Sequence, residues 1–161
     1  MGSRVGIGFD AHPLVEGRLL VLGGVQVPHR HGLSGHSDGD VLCHAIMDAL
    51  LGASNLGDKG IHFPSSDPGL EGISSLILLS QVLALIKQNG WQIANIDATI
   101  LAQQPKLAPY IPAMKSNIEA TLELSQEGVI SIKATTTDYL GFAGREEGIA
   151  AQAVALLEEA A

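Results

Sequence analysis

Apolar residues in this chain change period repeatedly, from every second residue to every third or fourth and back. That alternation confines the chain to layers of strands and helices. Val5, Ile7 and Phe9 fall on one face of an opening strand, with Arg4, Gly6 and Gly8 on the other. Leu19 to Leu22 meets Gly23-Gly24 and resumes at Val25 to Val27, which predicts strands meeting a turn or hairpin. Gly32 to Gly39 reads as loop. Asp38 or Asp40 caps a helix that runs to about Ser54 and is ended by Gly57, with Val41, Leu42, Ala45, Ile46, Ala49 and Leu50 on one buried face. The stretch from Gly57 to Gly72, rich in Gly, Pro, Ser and Asp, predicts a long functional or mobile loop. A second helix spans about Ile73 to Gln88, with Gly90 just beyond it. Trp91 to Ala102 predicts a strand with Ile96, Ala98 and Ile100 on one face. Pro105, Pro109 and Pro112 lead into a helix ending near Leu124, Val129 to Thr135 is another strand, and the alanine-rich Glu146 to Glu159 predicts a closing helix. If its strands are parallel, the last strand–helix–strand portion is a right-handed crossover. The fold class is α/β, in the form of an α+β sandwich: one sheet of about four main strands with helices on one face. The other face needs cover, which an oligomer interface can supply.

At 161 residues the chain suits one domain, 1–161, and 46% hydrophobic residues with only 4% aromatics predict a generous aliphatic core. Nine Lys+Arg against seventeen Asp+Glu leave a net charge of −8, which argues against nucleic-acid and anionic-membrane partners. An anionic ligand would therefore need metal ions or backbone amides to offset that field. The single cysteine, Cys43, cannot form an internal disulfide, consistent with a cytoplasmic location. No stretch reaches the roughly 20 apolar residues of a membrane span. The longest candidate, Ile73 to Ile86, is broken by Ser74, Ser75, Ser80 and Gln81, and no signal peptide is visible.

All six histidines fall in the first two-fifths of the chain. Asp10-Ala11-His12 closes the first strand, and its i, i+2 pair points to one side. His36-Ser37-Asp38-Gly39-Asp40 follows, with His44 one helical turn after Asp40. One carboxylate and two imidazoles form a ligand set that suits Zn²⁺ and leaves a fourth position open, as catalytic sites do. The plainer alternative is that His12 caps a strand and His44 is a hydrogen-bonded core histidine. His36 can polarise a phosphate or shuttle a proton; equally it can be a solvated loop residue beside helix-capping carboxylates. Lys133-Ala134-Thr135-Thr136-Thr137-Asp138, leading to Gly141-Phe142-Ala143-Gly144-Arg145 at a helix entrance, forms a phosphate cradle or simply a strand with a glycine-rich exit. Asp58-Lys59-Gly60 through Phe63-Pro64-Ser65-Ser66-Asp67 can hold a polyol or be an array of turns. His29 and His31 read as a solvated hairpin rim, and Glu146, Glu147, Glu158 and Glu159 as a helix surface.

Together these segments resemble the 2-C-methyl-D-erythritol 2,4-cyclodiphosphate synthase family of the non-mevalonate isoprenoid pathway. The resemblance spans essentially the whole chain. It rests on Gly8-Phe9-Asp10-Ala11-His12, His36-Ser37-Asp38-Gly39-Asp40 with His44, and Asp48-Ala49-Leu50-Leu51-Gly52. It continues through Phe63-Pro64 with Asp67-Pro68, Gln103-Gln104-Pro105-Lys106, and Lys133 to Thr137 with Leu140-Gly141-Phe142, and ends in Gly144-Arg145 with Glu147-Gly148.

The resemblance implies a homotrimer whose mixed sheets meet around the three-fold axis, with active sites between subunits. It implies Zn²⁺ on Asp10, His12 and His44, and Mg²⁺ or Mn²⁺ with the substrate diphosphate. The second ion would meet Asp138, where many members carry Glu. His36 and Thr136 become stabilisers of the transition state. Asp10, His12, His36, Ser37, Asp58, Lys59, Gly60, Phe63, Pro64, Ser65 and Asp67 would border the methylerythritol phosphate, Ser65 standing where Asp is frequent. Ala102, Gln103, Gln104, Pro105, Lys106, Leu107 and Ala108, with Thr135, Thr136, Thr137 and Asp138, would offer the neighbouring subunit's side to the cytidine diphosphate. Phe142 and Arg145 are implied as further substrate contacts.

The implied reaction is intramolecular. The 2-phosphate of 4-diphosphocytidyl-2-C-methyl-D-erythritol 2-phosphate attacks the β-phosphorus, closes the cyclic diphosphate and expels CMP. Two unit anions 4 Å apart repel by about 4 kcal/mol at an effective dielectric near 20, which is why cations are implied. No cytidylyltransferase segment precedes the matched region, so the chain is not expected to make its own substrate. The rival functions are a metal-dependent hydrolase on the same ligands and a non-enzymatic trimeric binder with a structural metal.

Overall fold

The computed structural model describes residues 2–161; Met1, the first residue of the expected domain, lies outside the described residues. The fold is α+β. Strands β1 (Ser3–Glu16), β4 (His31–Leu33), β5 (Trp91–Leu101), β6 (Ile130–Thr135) and β7 (Gly148–Glu159) form a mixed sheet in the order β4-β1-β7-β5-β6. β5 and β6 are parallel and the other neighbours antiparallel, so the condition set for a crossover is met. The sheet therefore has five strands: β1, β5 and β6 on segments expected to be strands, β7 where a helix was expected, and the short β4 overlapping the start of the segment read as loop. β2 (Leu20–Leu22) and β3 (Val25–Val27) form the hairpin expected around Gly23-Gly24.

Helix α1 (Val41–Ala53) crosses the inner face of β1 and β7, and its close approach follows from what those strands lack. A Cβ at Gly6 would stand 1.9 Å from the carbonyl oxygen of Ala49, and one at Gly8 1.9 Å from that of Ala45. Opposite them on β7 the inward residues are Ala151, Ala153 and Ala155, all buried. α3 (Ser75–Gln88) covers the far side of α1. The helix is thus buried almost all round rather than on the single expected face, with Leu42, Ile46, Met47, Leu50 and Leu51 wholly enclosed. Asp40 caps it: the carboxylate accepts from Cys43 N–H at 3.1 Å, and from Gly23 N–H at 3.0 Å and Gly24 N–H at 2.8 Å, tying the hairpin turn to the helix start. α4 (Ile111–Thr121) lies against β6.

The predicted closing helix is instead strand β7. Its alanines suit helices by propensity, but the segment is the central strand, paired with β1 from Pro13↔Gly148 to Ser3↔Glu158 and with β5 from Leu101↔Ala150 to Trp91↔Glu159. Ladders on both edges and alternating burial, with Gln152 and Val154 outward and Ala153 and Ala155 inward, outweigh propensity. It follows that Arg145 does not stand at a helix entrance. It ends the short helix α5 (Gly141–Gly144), and Glu158 and Glu159 close a strand rather than decorate a helix. The 57–72 segment is more ordered than a plain loop: α2 (Lys59–His62) is capped by Asp58, and a 3₁₀ turn at Pro68–Leu70 by Asp67. His31 lies in β4 and not on the hairpin; its ring centroid is 6.0 Å from that of His29.

Candidate functional site

Asp10 and His12 do not end β1, as the sequence suggested; the strand continues to Glu16. Their period-two spacing still puts both on the inner face, in line with Gly6 and Gly8, and the close packing of α1 on those glycines delivers His44 to them. Asp10 Oδ2 lies 2.8 Å from His44 Nδ1 and 2.9 Å from His12 Nε2, and the two imidazole nitrogens are 3.2 Å apart. One ligand atom from each residue falls within 4.8 Å of the others, a group able to hold a metal ion.

Burial opposes charge on Asp10. Hydrogen bonds from His12 and His44 and the nearby Lys59 ammonium outweigh it, holding the carboxyl well below the usual carboxylate range. Asp10 is thus an anionic donor at neutral pH. Cys43, on the same helix, is no competing ligand: burial, then the neighbouring Asp40, pushes its thiol well up, so it stays protonated. The donor set of two imidazoles and one ionised carboxylate fits a zinc-type ion with a free coordination position.

A cleft of about 250 Å³ opens over this cluster, lined by His12, His36, Ser37, Lys59, Gly60, Phe63 and Ser65 among the expected residues. Its apolar wall, Met47, Leu70 and Leu78, was not anticipated, because nothing in the sequence separates these from ordinary core residues. His36 Nε2 donates to the carbonyl of Asp67 at 2.7 Å, which places a ring proton on Nε2. The guanidinium of Arg18, also unanticipated, brackets His36 by donating to the carbonyls of Gly35 at 3.1 Å and Ser37 at 2.9 Å. Lys59 Nζ sits 3.2 Å from Asp48 Oδ2 and 3.7 Å from Asp10 Oδ1, a cation held at the mouth of the metal group. Asp58 and Asp67 use their carboxylates to cap Ile61 N–H and Gly69 N–H, and with Pro64 they stand outside the cleft lining.

The remaining expected residues gather elsewhere. Parallel pairing of β5 and β6 brings Leu101 beside Thr135, and Ala102 N–H donates to the Thr135 carbonyl at 2.9 Å. The 102–108 and 135–138 segments therefore emerge together at one end of the sheet, joined again where Tyr139 N–H donates to Gln103 Oε1 at 3.0 Å. Gln104 and Lys106 are exposed, whereas Ala102 and Leu107 turn their side chains into the core, so any contact they make with a ligand is through the main chain. Thr136 Oγ1 accepts from Asp138 N–H at 3.4 Å and keeps its own proton for an outside partner. Asp138 and Tyr139 take left-handed backbone angles, φ 51° and 65°, a strained turn directly after the threonine run. Phe142 lies with Ala11, His12 and Pro13 around a second, shallower hollow, and Arg145 is paired with Glu147 at 3.0 Å on the surface. None of the 102–108 or 135–138 residues lines the cleft over Asp10, His12 and His44.

The sequence pattern of the YgbB family matches residues 3–158. This chain belongs to the YgbB family. A 2-C-methyl-D-erythritol 2,4-cyclodiphosphate synthase of Agathobacter rectalis is 63% identical over 154 residues, which cover 96% of this chain and 86% of that protein. Among solved structures, the bifunctional IspDF of Campylobacter jejuni matches with a TM-score of 0.94 at 44% identity, covering 98% of this chain but 42% of that one. A Plasmodium falciparum IspF in complex with CDP matches with a TM-score of 0.86 at 33% identity, covering 99% and 98%. The Asp10–His12–His44 cluster and the threonine-rich turn are thus features of a YgbB-family chain. Among the described residues no helix is long and apolar enough to cross a membrane.

Proposed function

We propose that this chain converts 4-diphosphocytidyl-2-C-methyl-D-erythritol 2-phosphate to 2-C-methyl-D-erythritol 2,4-cyclodiphosphate with release of CMP, as a cytoplasmic enzyme of the non-mevalonate pathway. The observation that carries the proposal is the meeting of three metal donors from β1 and α1, two of them, His12 and His44, lining a cleft, in a chain 63% identical to a named synthase. Asp10, His12 and His44 would hold Zn²⁺, and Asp138 would help hold Mg²⁺ or Mn²⁺ with the substrate diphosphate. Bound there, such cations supply charge neutralisation and alignment for two phosphates that repel each other.

The chain's own groups do the rest. The 102–108 and 135–138 segments lie outside the cleft of about 250 Å³, so in this proposal one subunit encloses only part of the substrate. In this proposal the polyol phosphate lies in it, beside Ser37, Gly60, Phe63 and Ser65, with Lys59 facing the phosphate. A neighbouring copy contributes residues 102–108 and 135–138 for the cytidine diphosphate portion. His36, clamped by Arg18, and Thr136, with its uncommitted hydroxyl proton, stabilise charge that grows as the ring closes. Support for a homotrimer comes from the outer sheet face, where Val5, Ile7 and Phe9 are 69%, 63% and 56% exposed and Val154 adjoins them on β7. Apolar strands of this kind suit a symmetric self-contact.

Phosphorus NMR of the product tests the proposal. It predicts a cyclic diphosphate and one equivalent of CMP. A linear phosphate product would instead point to water attack and a hydrolase.

A further inference from the structure

His44 is engaged at both ring nitrogens. Nδ1 faces the ligand cluster, whereas Nε2 lies 3.0 Å from Ser37 Oγ and 3.0 Å from Ser75 Oγ. Ser75, at the start of α3, is wholly buried, and two contacts bind it to Asp38: Ser75 Oγ to Asp38 Oδ1 at 2.5 Å, and Ser75 N–H to Asp38 Oδ2 at 3.0 Å. Asp38 Oδ1 is further fixed by accepting from Asp40 N–H at 3.1 Å.

The protons can be counted. A carboxylate only accepts, so the single hydroxyl hydrogen of Ser75 points to Asp38. The Ser75 oxygen then has only lone pairs left for His44, so Nε2 is a donor; the proton that Nδ1 shares with Asp10 Oδ2 at 2.8 Å in the metal-free chain is the one a cation displaces. Turning the hydroxyl toward Nε2 would set lone pairs against each other across the 2.5 Å Ser75–Asp38 contact. Ser37 imposes no such choice, because its hydroxyl is free to rotate. We infer that Ser75, oriented by Asp38, is a positioning residue that keeps the His44 proton on Nε2 and presents the Nδ1 lone pair to a divalent cation shared with Asp10 and His12. This rests on the metal reading above and adds to it a relay that ties the first turn of α3 and the loop before α1 to the metal site. Outer partners of ligating histidines act in this way, fixing the tautomer and ring orientation.

Zinc binding alone tests it, without turnover. Zinc affinity is measured by competition with a chromophoric chelator for the wild type, Ser75→Ala and Ser75→Thr. Long-range ¹H–¹⁵N correlation of the zinc-loaded wild type reads the His44 tautomer. The expected results are zinc at Nδ1 with the proton on Nε2, a roughly 10- to 100-fold weaker affinity in Ser75→Ala, and recovery in Ser75→Thr. Should Ser75→Ala fail to fold, the wild-type spectrum decides. Zinc on Nε2, or Ser75→Ala affinity within twofold of wild type, would overturn the inference while leaving the three-ligand site intact. A wild type that binds no zinc at the cluster would remove both.

Discussion

In the proposed site Asp10 has two linked functions, holding charge for a metal and holding two imidazoles in place. Its carboxyl is depressed in the folded chain, so the interaction contributes stability that is fully present above about pH 4, the ordinary unfolded value. That contribution disappears as the pH falls through the folded value. Urea unfolding of the metal-free proteins should show wild type more stable than Asp10→Asn by on the order of 2 kcal/mol at pH 6, with the gap closing below pH 4. A gap independent of pH would deny Asp10 its ionised role. His36 and Thr136 predict a different pattern. His36→Ala and Thr136→Ala should retain the metal, read by elemental analysis, and lose on the order of 10²- to 10³-fold in kcat, the usual cost of removing a donor to developing charge. The Asp10–His12 pair was legible because the two-residue period of a strand fixes a shared face. Ser75 and Arg18 were not, since Ser75 meets Asp38 across 37 residues and Arg18 reaches Ser37 across 19, contacts that only tertiary packing creates.

At the scale of elements, the site depends on how closely α1 can approach β1. Gly8→Val puts side-chain atoms where the Ala45 carbonyl stands, so either the helix lifts or the strand bends. Destabilisation of about 3 kcal/mol is expected in thermal or urea unfolding, the upper range for overpacking. Zinc affinity should fall with it, because His44 moves with the helix. Asp40→Ala should cost a similar amount: it removes a cap and leaves the buried Gly23 N–H and the half-buried Gly24 N–H unpaired. Most elements were readable from period and punctuation, including the turn or hairpin at Gly23-Gly24, a helix cap at Asp38 or Asp40 and the long strand β5. β7 was not. A central strand packed under a helix needs small inward residues, and a run of alanines chosen for that closeness has the composition of a helix. The short α2 and the 3₁₀ turn escaped for the opposite reason, since a few residues held by Asp58 and Asp67 have no apolar period to detect.

On the proposed reading the whole molecule presents two halves of a site. One cleft gathers the metal cluster, His36 and Lys59; the other end of the sheet gathers Gln103, Lys106 and the threonine run. The outer face carries an apolar patch of Val5, Ile7 and Phe9 on β1 and Val154 on β7, while that of β5 and β6 is polar, with Lys133 and Asp97 paired at 2.6 Å. Replacing Ile7 and Phe9 together by Ser should reduce the proposed trimer to monomers in sedimentation velocity and abolish turnover while each chain stays folded by circular dichroism. Monomers with full activity would place the complete site within one subunit. The proposal as a whole stands or falls on whether the Asp10–His12–His44 group holds the ion that turnover needs. Zinc content and CMP release measured side by side in wild type, Asp10→Asn and His44→Ala test it most directly. The account predicts that the two quantities fall together; full turnover by a metal-free His44→Ala protein would contradict it.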